Sequence, residues 1–247
     1  MREHRADLHL HTLLSACAEV EMIPPLMIEE ALYKGLQIIA VTDHNSCGNA
    51  GAVMEAAQGT ELVVLPGMEL QSQEEVDLVC LFDTLEQAEA WQAQVDARLL
   101  PLQNDPERFG PQYLVDATGK LVAEETNFLQ GAAQIPLAEA VASVHTLGGL
   151  AIPAHIDRPS KGLLRTLGLW PSNLQVEAAE LSPNMRPSQA RQRYPFLPDI
   201  PLITASDAHW LDAIGQVMTV FVLKGPPCIA ELRAALRGEE GRRMFVP

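Results

Sequence analysis

The sequence has few cysteines, and none of them forms a C-x-x-C pair: Cys17, Cys47, Cys80 and Cys228 lie far apart in 247 residues. This spacing favours reduced thiols in a cytosolic protein over a disulfide framework or a paired redox motif. The sequence also lacks an apolar run long enough to span a bilayer and an apolar secretory stretch at its N-terminus. We therefore expect a cytoplasmic protein with no membrane partner.

Basic residues are scarce as well, since 17 Lys and Arg against 32 Asp and Glu give a formal net charge of −15. No Lys or Arg lies between Lys34 and Arg98, a stretch that includes Asp43, Glu69 and Asp77. Binding to the phosphate backbone needs clustered cations, so we expect no duplex nucleic acid as a partner. Negative potential around a site would attract divalent cations, and a small anionic substrate would then be held by metals and a few local cations.

The sequence contains no internal repeats and no low-complexity tracts, and 47% of its residues are apolar. A chain of this length can bury a full core as one α/β barrel. Strand-like and helix-like segments alternate, which favours βαβ units and a mostly parallel sheet. Glycines end several predicted helices, as Gly35 does after the segment 25–34 and Gly148 does after 137–147.

One segment, residues 104–134, interrupts this alternation. Two short apolar runs, 112–116 and 120–123, flank a turn that contains Gly119, which predicts a β-hairpin. The segment is too short to support a core of its own. We therefore predict a single domain over residues 1–247, with a small helix and hairpin inserted at about 100–135.

Five strand-like runs each end in residues that bind metals. Five of the seven histidines lie at such ends, and two of the runs place ligand types at positions i and i+2, which share one face of a strand. The C-terminal ends of barrel strands are where active sites form, so the pattern predicts one site with several metal ions. The residues at these ends are His9, His11, Asp43, His44, Glu69, His155, Asp207 and His209.

These motifs, in this order, resemble the PHP (polymerase and histidinol phosphatase) family of metal-dependent phosphoesterases. They read D-L-H-L-H-T, T-D-H-N, G-M-E, P-A-H and S-D-A-H, and they extend from Ala6 to about Gly215. The resemblance implies a distorted (βα)7 TIM-like barrel with two to three divalent ions (Mn, Zn or Fe) at the C-terminal ends of its strands.

The resemblance also implies how the ligands are divided among the ions. His9, His11, Glu69 and Asp207 would hold the first ion. Glu69 would bridge to a second ion, which His155 also binds. His44 and His209 would hold the third.

Two positions depart from the family pattern. Asp77 stands where the second ion usually takes a histidine; as a ligand it would favour Mn²⁺ over Zn²⁺, and the alternative is a surface residue beside a weak second site. The third ion normally takes an acid or a histidine soon after the first motif. This chain offers Cys17, Glu19 and Glu21 there, and the sequence does not choose among them, although a hard ion would favour the two glutamates.

Cations close to the predicted metals come from the run that follows His155. Arg158 has the planar fork that suits bidentate binding of a phosphate; the alternative is a surface arginine paired with Asp157. Glu180, at the end of a predicted buried strand over 176–181, is a candidate for orienting one of the histidine ligands.

The family resemblance, together with the predicted metal site, implies a phosphoesterase that acts on a phosphomonoester, a nucleotide or a short oligonucleotide end through a metal-activated hydroxide. His9, His11, Glu69, Asp207 and Arg158 are the predicted catalytic residues. One alternative is an amidohydrolase-type metal hydrolase, but none of the four lysines stands where the bridging lysine of such a site is needed. The other is a metal-binding regulatory module without turnover, which the departures at the second and third ions keep open.

Overall fold

The computed structural model describes all 247 residues and contains eleven β-strands. They are β1 (Arg2–Leu10), β2 (Ile38–Val41), β3 (Val63–Gln71), β4 (Asp77–Leu81), β5 (Tyr113–Val115), β6 (Leu121–Glu124), β7 (Leu150–Pro153), β8 (Ala179–Leu181), β9 (Leu202–Thr204), β10 (Thr219–Leu223) and β11 (Arg243–Phe245).

Eight α-helices and two short 3-10 helices connect or flank the strands. They are α1 (Pro24–Tyr33), α2 (Ala50–Ala56), α3 (Leu85–Asp96), α4 (Pro106–Phe109), α5 (Leu137–Thr146), α6 (Leu163–Thr166), α7 (Pro187–Arg193) and α8 (Ile229–Leu236), with 3-10 turns at Leu211–Ala213 and Glu239–Gly241. None of these helices combines the length and the apolar character needed to cross a bilayer.

Local sequence signals set the helix ends. Pro24 opens α1 at a position where its missing N–H is not needed. A reciprocal capping box between Thr84 and Gln87 begins α3. Gly35 and Gly148, which were predicted to end the helices before them, both have positive φ values, 70° and 83°. A residue without a Cβ adopts this left-handed conformation at little cost.

A curled seven-stranded sheet carries the α/β fold, with the strand order β11-β10-β1-β2-β3-β4-β7. Strands β1, β2 and β3 pair in parallel, and β8 pairs with β9 in a separate parallel pair. Hydrogen bonds join the two sheets. The amide of Ile156, after β7, donates to Glu180 O (2.9 Å), and the amide of His11, after β1, donates to Ala208 O (3.0 Å).

The chain departs from a strictly alternating (βα)7 barrel in two respects. Strand β4 follows β3 directly and runs antiparallel both to it and to β7. Strands β10 and β11 extend the sheet beyond β1 in antiparallel pairing. Asp77 therefore lies at the beginning of its strand, next to the carboxyl end of β3, because reversing the strand brings its N-terminus to that edge.

Two apolar clusters fill the fold. The larger, of 42 buried residues, includes Trp91 and packs strands against helices. The smaller, of 18, takes alternate residues from the strands, such as Ile38 and Ala40 in β2, together with one face of α8. Alternation of this kind marks one face of a curled sheet as an interior.

A β-bulge in β1 aims the first two histidines. Asp7 and Leu10 are three positions apart on β1, whereas their partners on β2, Ile39 and Val41, are two positions apart. Leu8 belongs to the smaller apolar cluster, whereas Leu10 belongs to the larger one. The bulge has therefore changed the face to which side chains point, as bulges near functional sites often do.

The predicted hairpin is present in the segment between α3 and α5. Strands β5 and β6 pair antiparallel, with Tyr113 opposite Glu124. A side-chain amide ties this segment to the barrel, because Asn45 Nδ2 donates to the carbonyl oxygens of Leu129 (2.6 Å) and Gly131 (2.7 Å). The proposed domain boundary, one domain with an insertion at about 100–135, stays a prediction.

We predict that Gly67→Ala lowers the free energy of unfolding by roughly 1–3 kcal/mol, the usual cost of an overpacked core position. A Cβ at Gly67 would overlap the carbonyl oxygen of Cys80 on the paired strand β4. Urea denaturation of the two proteins measures the difference. Gly131→Ala is the matched control, because its added Cβ meets no atom closer than 3.5 Å. Equal stability of Gly67→Ala and wild type would contradict this account of the β3–β4 packing.

Candidate metal centre

The carboxyl ends of β1, β2, β3, β7 and β9 bring the predicted ligand residues together at one edge of the barrel. Their side chains fall into three groups of potential metal ligands, within each of which the ligand atoms lie no more than 4.8 Å apart. The groups are His9, His11, Glu69 and Asp207; Glu69, Asp77 and His155; and His11, His44 and His209. Apart from the inclusion of His11 in the third group, this is the division that the family resemblance implies.

The first group is fully buried. His9 Nε2 and His11 Nε2 lie 3.2 Å apart, and both face Asp207 Oδ1, at 3.5 and 3.1 Å. Glu69 contacts His9 with Oε1 (3.3 Å) and His11 with Oε2 (3.5 Å). Nitrogen and oxygen ligands about 2.0–2.2 Å from one tetrahedral ion are separated by roughly 3.4 Å, so these spacings match one shared ion.

The second group contains Asp77, which is buried and so does not fit the alternative of a surface residue. His155 Nε2 lies 2.9 Å from Glu69 Oε1 and 3.7 Å from Asp77 Oδ2. Burial, together with the charge of Glu69, raises the pKa of the Asp77 carboxyl to about 6. A cation between these carboxylates would reverse that shift, because it would favour both ionised forms.

Cys17, and neither glutamate, reaches the third group. Cys17 Sγ lies 3.3 Å from His44 Nε2. Partial loss of hydration raises the pKa of the Cys17 thiol, but hydrogen bonds with His209 and His44 outweigh this effect and lower the pKa to about 6. The structure does not bring Glu19 or Glu21 to the ligand groups: both residues are exposed, and the amide of Glu19 donates to the backbone oxygen of His209 (2.8 Å).

Hydrogen bonds at the Nδ1 atoms fix the histidine rings of the first group. Glu180 lies 3.1 Å from His9 Nδ1 with each carboxylate oxygen, the position expected of a residue that orients a ligand. His11 Nδ1 lies 3.0 Å from Ser15 Oγ, and this hydroxyl donates to Asp43 Oδ1 at 2.7 Å. Both rings therefore carry the proton on Nδ1 and direct an Nε2 lone pair at the centre.

Sequence reasoning missed the roles of Ser15 and Asp43. A carboxylate before a helix resembles an N-cap, but Asp43 accepts hydrogen bonds from Thr12 N, Thr12 Oγ1 and Ser15 Oγ, each at 2.7 Å. Asp43 thus holds the loop after β1, not the start of α2. Its position directly before His44 was a usable signal, whereas nothing in the sequence marks Ser15.

Two ligand residues have backbone conformations that are uncommon outside glycine. The φ value is 26° at His155 and 52° at Asp207. Such residues cost of order 1–3 kcal/mol each and persist where the surroundings fix them. The strand ends are therefore strained where they present side chains to the centre.

The donor set fits divalent ions. His155 Nδ1 is buried and lacks a hydrogen-bond partner, which is costly unless another charge or ligand satisfies it. A divalent cation between the imidazole nitrogens and the shared carboxylate oxygens would accept the lone pairs of both. Burial raises the pKa of the Glu69 carboxyl, but the charge of His9 and hydrogen bonds with His155 and His44 outweigh burial and lower the pKa well below its usual range.

An open cavity of about 810 Å³ leads from solvent to these groups. Arg158 and Lys161 line one side of it. The guanidinium of Arg158 pairs with Asp207 Oδ2, whereas Asp157 accepts hydrogen bonds from Ser182 N (2.7 Å) and Ser182 Oγ (2.6 Å). The alternative pairing of Arg158 with Asp157 is therefore absent, and the arginine faces the cavity.

Solved structures with this fold include nucleases and a phosphoesterase. The lesion-specific endonuclease Q of Pyrococcus furiosus has 18% identity and a TM-score of 0.74 over 98% of this chain. The structure of an endonuclease Q complex with a 27-mer duplex that carries an abasic lesion has 17% identity and a TM-score of 0.69, also over 98% of this chain. This chain spans 58% of the endonuclease Q chains.

A third structure, from Bifidobacterium adolescentis and assigned as a metal-dependent phosphoesterase, has 18% identity and a TM-score of 0.52. Its alignment covers 83% of this chain and 87% of that one. No protein of curated function matches the sequence.

One expectation from the sequence is wrong. The net charge of −15 predicts that duplex nucleic acid is not a partner, but endonuclease Q, which has this fold, binds a duplex at its active site. Net charge describes the whole surface, whereas binding depends on where cations and metal ions lie around the site. The charge total is therefore no ground for excluding this class of partner.

The family comparison agrees with the motifs. The PHP domain model matches residues 7–159, more than half of the chain, and a PHP-associated model matches residues 198–240. The matched regions contain the ligand residues of all three groups. The match and the hydrolase neighbours confirm the prediction of a metal-dependent hydrolase, and the chain belongs to the PHP domain family.

Proposed function

We propose that this protein is a metal-dependent phosphoester hydrolase whose three ligand groups form one active site. The observation that carries the proposal is the position of Glu69, whose two carboxylate oxygens contact histidines of all three groups. A carboxylate shared in this way keeps the groups within one substrate's reach. Divalent ions bound in such groups lower the pKa of water and neutralise charge on phosphoryl oxygens.

The ligand assignment follows from the contacts. His9, His11, Glu69 and Asp207 would hold the first ion. Glu69, Asp77 and His155 would hold the second. His44, His209 and Cys17 would complete the third, with His11 beside them. We expect the first ion to matter most for turnover, because four side chains form its ligand group and three form each of the others.

Two cations on the cavity wall would bind the substrate's phosphate. Arg158 lines the cavity, is about 40% exposed and pairs with Asp207 through one nitrogen, which leaves other N–H groups of the guanidinium to bind a phosphate. Lys161 Nζ lies 4.0 Å from Asp77 Oδ2. Both side chains would orient phosphoryl oxygens and stabilise the charge that develops during the reaction.

For the substrate we propose a phosphoester of nucleotide type, from a mononucleotide to a nucleic-acid end. The likeness to endonuclease Q supports the nucleic-acid side of this range, and it extends over 58% of the endonuclease Q chain. The cavity volume lies in the range of pockets that hold small ligands, which supports the mononucleotide side. The cytoplasmic location also stays a prediction.

The amidohydrolase alternative lacks its bridging group. Lys161 is the one lysine that lines the cavity, and the carboxylate that contacts histidines of all three groups is Glu69. Lys161, the lysine beside the site, contacts only Asp77. The regulatory alternative depends on incomplete second and third groups. The burial of Asp77 and the contact of Cys17 with His44 favour a complete ligand set in both groups.

We expect the Mn²⁺-loaded protein to hydrolyse phosphoesters. His9→Ala should lower kcat/KM by at least about 100-fold, because removing a residue that only orients a metal ligand already lowers metal affinity or activity by about 10–100-fold. A screen of phosphomonoesters, phosphodiesters and single-stranded or duplex oligonucleotides measures this. His145→Ala is the matched control, since this histidine pairs with Glu177 outside the site. Turnover by His9→Ala near that of wild type would contradict the assignment.

A second prediction concerns metal content and Asp77. Elemental analysis of wild type after Mn²⁺ reconstitution should give at least two ions per chain, and Asp77→Ala should lose one ion selectively. Asp77→His should shift the preference from Mn²⁺ toward Zn²⁺, because imidazole is the softer ligand. A competitive Mn²⁺/Zn²⁺ titration compares the three proteins. Identical occupancies and preferences in all three would show that Asp77 is not a ligand.

A third prediction concerns Cys17. If its thiolate binds the third ion, the Co²⁺-loaded protein should show a thiolate-to-cobalt charge-transfer band in the near ultraviolet. Cys17→Ser should remove this band. Cys228→Ser should keep it, because Cys228, the other thiol that is not buried, belongs to no ligand group. Persistence of the band in Cys17→Ser would assign the sulfur ligand elsewhere, and its absence from wild type would exclude sulfur from the centre.

A further inference from the structure

Trp210 is an exposed aromatic side chain in an otherwise polar active-site cavity. It follows His209 directly, is 48% exposed, and lines the cavity that leads to the ligand groups. No other Trp, Tyr or Phe lines this cavity. Trp91, by contrast, is fully buried in the core. A large indole surface left in water beside a catalytic centre is unfavourable for the free protein and becomes favourable when a ligand covers it.

The backbone around Trp210 is anchored on both sides. The carbonyl of Trp210, which directly precedes the 3-10 turn Leu211–Ala213, accepts a hydrogen bond from the amide of Ala213 (3.1 Å). The carbonyl of the preceding His209 accepts from Glu19 N at 2.8 Å. The indole is therefore carried by a fixed segment, which lowers the entropy lost when a ligand binds to it.

The other residues of the cavity supply what a nucleotide requires beyond a stacking surface. Arg158 and Lys161 provide positive charge for phosphate on one wall. Asn184 and Gln216 bring side-chain amides, which carry both a donor and an acceptor for the edge of a base. An aliphatic phosphate would leave the indole and both amides unused.

We propose that Trp210 stacks on the nucleobase next to the scissile phosphate, which makes this a site for nucleobase-bearing phosphoesters. The inference rests on the proposed function for the position of the phosphate. Stacking of a base on an aromatic side chain is tolerant of base identity, because every base has a π face. Trp210 thus sets the substrate class without selecting one sequence.

The test compares two ligands that differ only in the base, adenosine 5′-monophosphate and ribose 5-phosphate. Kd values are measured by calorimetry on the Mn²⁺-loaded full chain at low temperature, which slows hydrolysis of the ligand. Phosphate release is followed in parallel. Wild type should bind the nucleotide at least about 10-fold more tightly, within the range of one stacked base. Trp210→Ala should bind both ligands about equally, and Trp210→Phe should keep most of the preference. Phe196→Ala, which removes a 51% exposed aromatic residue outside the cavity, is the matched control and should behave as wild type.

The outcomes separate this inference from the proposed function. Equal Kd values in wild type, or a preference that survives in Trp210→Ala, would overturn the stacking role. Phosphoester turnover that is absent from wild type, while the Trp210-dependent preference remains, would overturn the hydrolase proposal and leave base stacking supported. Circular dichroism of each variant confirms that the exposed substitution has not altered the fold.

Discussion

The buried carboxylate of Glu69 constrains the whole centre. Its Oε1 contacts His9 and His155, at 3.3 and 2.9 Å, and its Oε2 contacts His11 and His44, at 3.5 and 2.9 Å. An ionised carboxylate with 1% exposure costs several kcal/mol unless positive charge surrounds it. Four imidazoles surround this carboxylate, and bound divalent cations would balance its charge and accept the imidazole lone pairs.

The backbone holds Glu69 where this arrangement requires. The amide of Glu69 donates to Asp43 O (3.0 Å), and its carbonyl accepts from Asn45 N (2.9 Å). The ends of β2 and β3 therefore stay paired one residue on either side of His44. Gly67 permits the close approach of β4 behind Glu69, so the antiparallel strand that carries Asp77 also depends on this point of the sheet.

The sequence predicted the ligand groups better than it predicted the sheet. The ligand types end strand-like runs, and parallel strands gather such ends at one edge whatever the details of the barrel. The reversal of β4 was not predictable in this way, because the run Leu78–Leu81 is buried and apolar and reads the same for either strand direction. Asp77 reaches the centre from the beginning of its strand, which a rule about carboxyl ends does not cover.

Loop contacts were harder to predict than strand ends. Between the first motif and α1 the sequence offers three candidate ligands, and a hard ion would favour the two glutamates. The path of the loop instead brings Cys17 against His44 and leaves Glu19 and Glu21 exposed. Ser15 escaped notice for the same reason, since its contact with His11 depends on a turn closed by Asp43. The cavity wall with Trp210 likewise depends on how separate loops meet.

The side chain of Asn45 has a consequence for exchanging parts between relatives of this fold. The backbone of Asn45 has a positive φ of 48°. Its Oδ1 accepts a hydrogen bond from Gln71 N (2.9 Å), and its Nδ2 donates to two carbonyl oxygens of the segment 129–131. A shorter or foreign loop grafted between α3 and α5 would remove both acceptors and leave a buried amide with two unpaired donors. A successful graft must therefore provide two replacement carbonyls at this point, or change Asn45 together with the loop.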